Sequence, residues 1–300
     1  MDFLTATAEF KFYCSIERRL SENTVDAYAH DLDQFGNFID GLSMHGALQV
    51  ETLQRYLAYM LQERNLSALT ARRRVASLRA FCAFSSARYE FSDPFENWSP
   101  SIKRPKRLPR ALSSTEVKTL IGNIDDDLTE IEKETIFSIL LISATGLRVS
   151  ELCSVRVGDV SPDGTDIQVR GKGNKERIVY VSNSELCGQL IQRRKQALQE
   201  RSITDTLFVN SRNAPLKPQT LRRRLHKLTA TTDLTRNVTP HMLRHTAATL
   251  LIEQGIDIRF VQRLLGHASI ATTEIYTHVT NKALKQAINS ADTIGAVLSN

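Results

Sequence analysis

Between His241 and His278 the chain reads HMLRH, then LLGH, then EIYTH, which gathers Arg244, His241, His245, His267, Tyr276 and His278 into one short stretch. Upstream, ATGLRVSEL supplies Arg148 and GKGNKER supplies Lys172. A tyrosine phenol has a pKa of about 10 and is a poor nucleophile at neutral pH unless its proton is taken or its anion stabilised. Arginines and a general base nearby change that. A phosphodiester under attack passes through a pentacoordinate arrangement with excess negative charge, and arginine forks with histidine donors are the groups that stabilise it. Taken singly, each residue has a blander reading: a lone tyrosine is ordinarily core, and a lone histidine packs or caps. The combination points to cleavage of DNA through a tyrosine. The alternative is a zinc site built on His241 and His245 at i, i+4 with His267 or His278. That pattern lacks the glutamate of HExxH, no cysteine supports it, and Arg244 would set a cation beside the metal, so no metal is expected.

Several elements must position these groups. His241, Arg244 and His245 fall at i, i+3 and i+4 on a helix that opens at Thr239-Pro240, near its positive end, where phosphate is attracted. DIQVR (166–170) and RIVYV (177–181) read as short strands around Gly171-Lys172-Gly173-Asn174, so Lys172 belongs to a hairpin tip. Ser113 to Glu116 has the capping-box pattern, ahead of Val117, Leu120 and Ile121. The remaining helices are predicted over 184–201, 217–230, 240–254 with Gly255 as its stop, and 258–265 with Gly266 as its stop.

The chain divides near residue 105. SPSIKRPKRLPR (99–110) holds three prolines and five basic residues without an acid, which favours extended chain. Before it, three apolar stripes at helical spacing predict core: Val25, Tyr28, Leu32, Phe35 and Ile39; Leu53, Tyr56, Leu57, Met60 and Leu61; Val75, Leu78, Phe81, Cys82 and Phe84. With Thr24, Thr52 and Thr70 near helix starts, four or five helices are expected, the first clear one opening by about residue 23. The domain limits are therefore 1–99, a basic linker at 100–110, and 111–300.

Three hundred residues with 41% hydrophobic content suffice for two ordinary cores. Thirty-nine Lys and Arg against 33 Asp and Glu give a net charge of +6, weak support for a polyanionic partner. The clustering says more. Arg72, Arg73 and Arg74, then Lys103, Arg104, Lys106 and Arg107, then Arg222, Arg223 and Arg224 are the candidate DNA contacts, and Arg193 to Lys195 form a further basic run. Cys14, Cys82, Cys153 and Cys187 lie far apart without CxxC spacing and are expected to be buried, reduced thiols. No signal core and no membrane-spanning run is readable, so a cytoplasmic protein is expected.

The order Arg148, Lys172, His241 with Arg244, His267 and Tyr276, in those motifs, resembles the tyrosine recombinase (phage integrase) family, and most closely its bacterial Xer-like group. The resemblance covers the full chain. It implies a mainly α fold: an N-terminal helical core-binding (SAM-like) domain that clamps DNA, and a mostly helical catalytic domain with a small antiparallel β-sheet. It implies that Tyr276 attacks the scissile phosphate, that Arg148 and Arg244 hold the non-bridging oxygens, and that His267 donates to one of them. Lys172 would protonate the leaving 5′ oxygen and His241 would help accept the tyrosine proton. Glu151 is expected to be a structural partner, and His245 and His278 to pack or lie near DNA. Neither ATP nor a metal is implied, because the phosphotyrosine ester conserves the bond energy. Leu284, Ala287 and Ile288, with Ile294, Val297 and Leu298, make an apolar stripe too small for a core of its own, which by itself suits a tail folded back on its own domain; the resemblance implies instead a terminal helix that docks on a neighbouring protomer of a tetramer, homomeric or shared with a second recombinase. The family's bacterial members place such a protein with the nucleoid. Two alternatives stay open: a catalytically silent DNA-binding protein of the same fold, and a topoisomerase-like relaxing enzyme. Target sequence and biological role, whether dimer resolution or mobile-element integration and excision, are not readable.

Overall fold

A computed structural model of the chain describes residues 2–89, 92–103, 111–122, 128–171 and 176–266. Two compact units divide between Arg107 and Leu108. The fold is mainly α, with one two-stranded antiparallel sheet among the described residues.

The first unit is built from α1 (Phe3–Phe12), α2 (Glu22–Phe38), the short α3 (Met44–Ala47), α4 (Val50–Ala58) and α5 (Ala68–Arg88), with single π turns extending α1 and α4. Every residue of the three sequence stripes lies in this core or packs on it. The start of the domain differs from expectation: α1 opens at Phe3 rather than near residue 23, and Phe3 and Phe10 set their rings edge-on to Phe81 at 5.4 and 5.5 Å. The reason it escapes the periodicity is that Leu4, Phe12 and Ile16 are apolar and exposed while Phe3, Ala6 and Phe10 are buried, so no polar face contrasts with the core face. Thr24, Thr52 and Thr70 stand near the helix starts as expected, each the third residue of its helix. Ser21, Gln49 and Ser67 are the N-caps of α2, α4 and α5, and the Thr24 and Thr70 hydroxyls bond to the Ser21 and Ser67 hydroxyls at 2.9 Å. Ile102, in the proline-rich segment, is buried in this unit's core, and its carbonyl accepts from Arg72 at 2.7 Å.

The second unit contains α6 (Ser114–Ile121), α7 (Glu130–Thr145), α8 (Val149–Ser154), the hairpin β1 (Asp166–Arg170) and β2 (Glu176–Tyr180), α9 (Ser184–Glu200), α10 (Pro218–Ala230), α11 (Pro240–Glu253) and α12 (Ile258–Leu265). The predicted capping box at Ser113 and Glu116 is formed, and Thr129 with Glu132 makes a second. The sequence of α7, EIEKETIFSILLISAT, opens on charged residues but from Thr135 is buried almost all round and takes the centre, packed by α8, α9, α10 and α11. β2 starts one residue earlier than expected, with Arg170 opposite Glu176 and Val169 opposite Arg177. Ile167, Val169 and Val179 are buried on the inner face, while Gln168, Ile178 and Tyr180 face out. Three cysteines are buried; the fourth, Cys187, is half-buried and donates to the Val181 carbonyl at 3.3 Å. No helix among the described residues is long and apolar enough to cross a membrane.

Candidate active site

The turn from α7 into α8 sets the first arginine. Gly146 closes α7 in the left-handed region at φ 67°, Leu147 goes into the core, and Arg148 becomes the extended N-cap of α8. Glu151 is the third residue of α8, so its carboxylate reaches back to the cap: Oε2 accepts from the Arg148 backbone N–H at 2.7 Å and Oε1 from Arg148 Nη1 at 2.7 Å. Glu151 is 5% exposed. Its expected role as a structural partner of Arg148 is what these bonds describe.

The second arginine comes from α11. Thr239 accepts the Met242 N–H at 3.3 Å, Pro240 occupies the first turn, and the helix then turns Arg244 and His245 inward while His241 stays exposed. Arg244, 4% exposed, donates from Nη1 to the Gly146 carbonyl at 2.6 Å and from Nη2 to the Leu265 carbonyl, and its Nη1 lies 3.7 Å from Glu151 Oε2. Arg148 reaches the same helix end, donating to the carbonyls of Leu265 at 3.4 Å and Gly266 at 3.3 Å. Thus residues far apart in sequence bring two guanidinium groups to one carboxylate and to the negative end of α12, which Gly266 stops at φ 64°.

A third guanidinium is present that none of the sequence motifs marks. Arg177, on the inner face of β2, donates from Nη1 and Nη2 to the two oxygens of Glu151 at 3.0 and 2.9 Å, and from Nε to the Leu264 carbonyl at 2.7 Å. A signal for it exists: in RIVYV the alternation that buries Val179 also turns Arg177 inward, and an inward arginine requires a partner. Burial alone would push the Glu151 carboxyl up, but the hydrogen bonds and charges of Arg177 and Arg148 hold it down at about 2, so it is ionised at any physiological pH. One negative and three positive charges leave the cluster cationic, which suits a phosphate. His241 is held below its ordinary pKa, first by partial desolvation and then by Arg244 and Arg148, and so is a neutral base at neutral pH.

Among the other named residues, Lys172, His267 and Tyr276 lie outside the described residues, as do Arg104, Lys106, Arg107 and the terminal segment from 267. His245 is buried. Arg72 and Arg73 are exposed, but Arg73 is tied at 2.6 Å to the fully buried Asp31, and Arg74 is half-buried with its Nη1 on the Tyr56 hydroxyl at 3.2 Å. Lys103 is exposed. Arg222 and Arg223 lie exposed on α10 and Arg224 is half-buried; Arg222 and Arg224 are near enough to Cys153 to oppose the rise that burial gives its thiol, which reaches about 11.

Residues 110–283 match the family described as the phage integrase family, and residues 8–88 match the phage integrase N-terminal SAM-like domain. The tyrosine recombinase XerD of Staphylococcus saprophyticus is 33% identical over 294 residues, covering 95% of this chain and 97% of that protein. The tyrosine recombinase XerC of Listeria monocytogenes is 34% identical over 281 residues, covering 92% and 94%. The crystal structure of the XerH site-specific recombinase bound to its difH substrate shares the fold, with a TM-score of 0.70 over 94% of this chain and 83% of that one at 23% identity.

Proposed function

The chain belongs to the phage integrase family of tyrosine recombinases, and from that membership we propose that it is an Xer-like site-specific recombinase that cleaves and rejoins duplex DNA. Similarity over nearly the whole length of both XerC and XerD relatives favours recombination over the silent DNA-binding and relaxing alternatives.

In this reading the Tyr276 phenolate attacks the scissile phosphorus and the bond to O5′ breaks. The DNA 3′ end becomes a phosphotyrosyl ester, and the freed O5′ takes a proton from Lys172. The tyrosine proton passes to His241. Arg148 and Arg244 hold the non-bridging oxygens, and His267 donates as charge builds. The observation that carries the proposal is the meeting of Arg148 and Arg244 at the Leu265 carbonyl and the Glu151 carboxylate, beside His241. Because each cleaved strand occupies one tyrosine, exchange between two duplexes employs four protomers through a four-way junction, supplied by this chain alone or with a second recombinase. The substrate places the protein on chromosomal or mobile DNA in the cytoplasm.

The test is to express the protein in cells, denature them rapidly, isolate covalently attached DNA and sequence it beside a Tyr276→Phe control. Adducts at one locus, present only with Tyr276, are expected. Adducts that survive in Tyr276→Phe would remove that residue from its role, and an absence of adducts with the native chain would count against the cleavage reading.

A further inference from the structure

We propose that Arg177 is a positioning residue for strand cleavage, its guanidinium fixing Glu151 and the end of α12 so that Glu151 holds Arg148 in the phosphate-binding geometry. The inference rests on the recombinase reading and deepens it at the same site.

The carboxylate count carries the argument. An ionised Glu offers about four acceptor directions, two on each oxygen. On Glu151 these are filled: Oε1 takes Arg148 Nη1 at 2.7 Å and Arg177 Nη1 at 3.0 Å, and Oε2 takes the Arg148 backbone N–H at 2.7 Å and Arg177 Nη2 at 2.9 Å. Arg244, at 3.7 Å, is the next cation. Removing Arg177 opens two acceptor directions beside Arg244 and leaves Arg148 held by a carboxylate that can rotate. The fork geometry matters, because only a planar guanidinium spans both oxygens at once.

The third bond ties the hairpin to the site. Arg177 Nε donates to the Leu264 carbonyl, one residue before the carbonyl that Arg148 and Arg244 share. Gly266 lies against it: a Cβ there would come within 3.3 Å of Arg177 Cδ. Arg177 is 13% exposed and its aliphatic stem lies on the inner sheet face beside Val179, so the group is held by packing as well as by charge. Its contacts reach both the carboxylate that orients Arg148 and the helix end on which Arg148 and Arg244 converge.

Two measurements test it. In the protein without DNA, the Arg148 Nε–H resonance, assigned by its loss in Arg148→Lys, is expected to shift and broaden in Arg177→Met; an unchanged resonance overturns the proposal without reference to catalysis. For the reaction, a nicked duplex carrying the locus recovered in the adduct experiment is compared with the same duplex bearing a methylphosphonate at the scissile position, where one charged non-bridging oxygen is absent. Arg177→Met is expected to slow adduct formation on the phosphodiester by about 10- to 100-fold with DNA affinity nearly unchanged, as for other residues that orient reacting groups. Most of that gap should close on the methylphosphonate, as it should for Arg148→Ala. Equal slowing on both duplexes, or no slowing, overturns the proposal; a native chain that forms no Tyr276 adduct instead overturns the recombinase reading. Should Arg177→Met fail to fold by circular dichroism, Arg177→Lys, which keeps the charge and loses the fork, is read against the same two duplexes.

Discussion

At the scale of the residue, Glu151 is the hinge of the site because it is buried, ionised and shared. Its folded pKa of about 2 lies below the ordinary 4.5, so its ionisation stabilises the fold fully above about pH 4.5, and that contribution is lost as pH falls from 4.5 toward 2. A depression of this size corresponds to about 3 kcal/mol. Glu151→Gln should therefore lose about 2–4 kcal/mol at pH 7 and show a flatter acid limb, measured by urea unfolding at pH 7 and pH 3. Equal pH dependence in both proteins would assign the acid limb to other carboxylates. His241, the proposed acceptor of the tyrosine proton, belongs to the other window. Desolvation and two neighbouring cations lower its pKa below 6.5, so the adduct rate should rise with pH along a limb whose midpoint lies below 6.5, and His241→Asn should abolish that limb. A limb that persists in His241→Asn would mean that another group accepts the proton.

At the scale of the element, the α7–α8 turn and the end of α12 are one mechanical unit. Gly146 supplies the left-handed residue that lets the chain turn from α7 to Arg148, and its carbonyl accepts from Arg244. A Cβ at Gly146 would come within 2.3 Å of Leu265 Cδ2, in addition to the strain of a non-glycine residue at φ 67°. Gly146→Ala should cost about 1–3 kcal/mol, read from the denaturant midpoint. It should also slow adduct formation by more than the loss of folded protein explains, since Leu265 must move and its carbonyl holds both arginines. Activity per folded molecule equal to that of the native chain would separate the turn from the site.

At the scale of the whole molecule, the two units have separate cores with no residue in common. Trp98 is the single tryptophan of the sequence and packs on Phe95 in the first unit, with ring centroids 5.3 Å apart. Its fluorescence therefore reports the first core, whereas far-ultraviolet dichroism reports helices of both. Urea unfolding should give different midpoints by the two probes, because each core melts with its own stability. Coincident midpoints would show that the two units unfold as one.

The residue types of the candidate site, their order and most helix limits are legible from the chain alone, because caps, prolines, glycine stops and apolar periodicity act over a few residues. Ser113 with Glu116, Thr239-Pro240 and Gly266 are such local signals, and each stands where it was read. Where the local signal is weak the reading failed, as at α1, whose apolar residues surround the helix. Where the arginines go depends on packing between distant elements. Arg73 and Arg74 look like any exposed basic run until Asp31 is seen buried beneath them. Arg148, Arg177 and Arg244 come from a helix cap, a strand and a helix interior, and no spacing rule links them. They meet because core packing brings α8, β2, α11 and the end of α12 together around one carboxylate, and an ion pair between residues distant in sequence has no local signature.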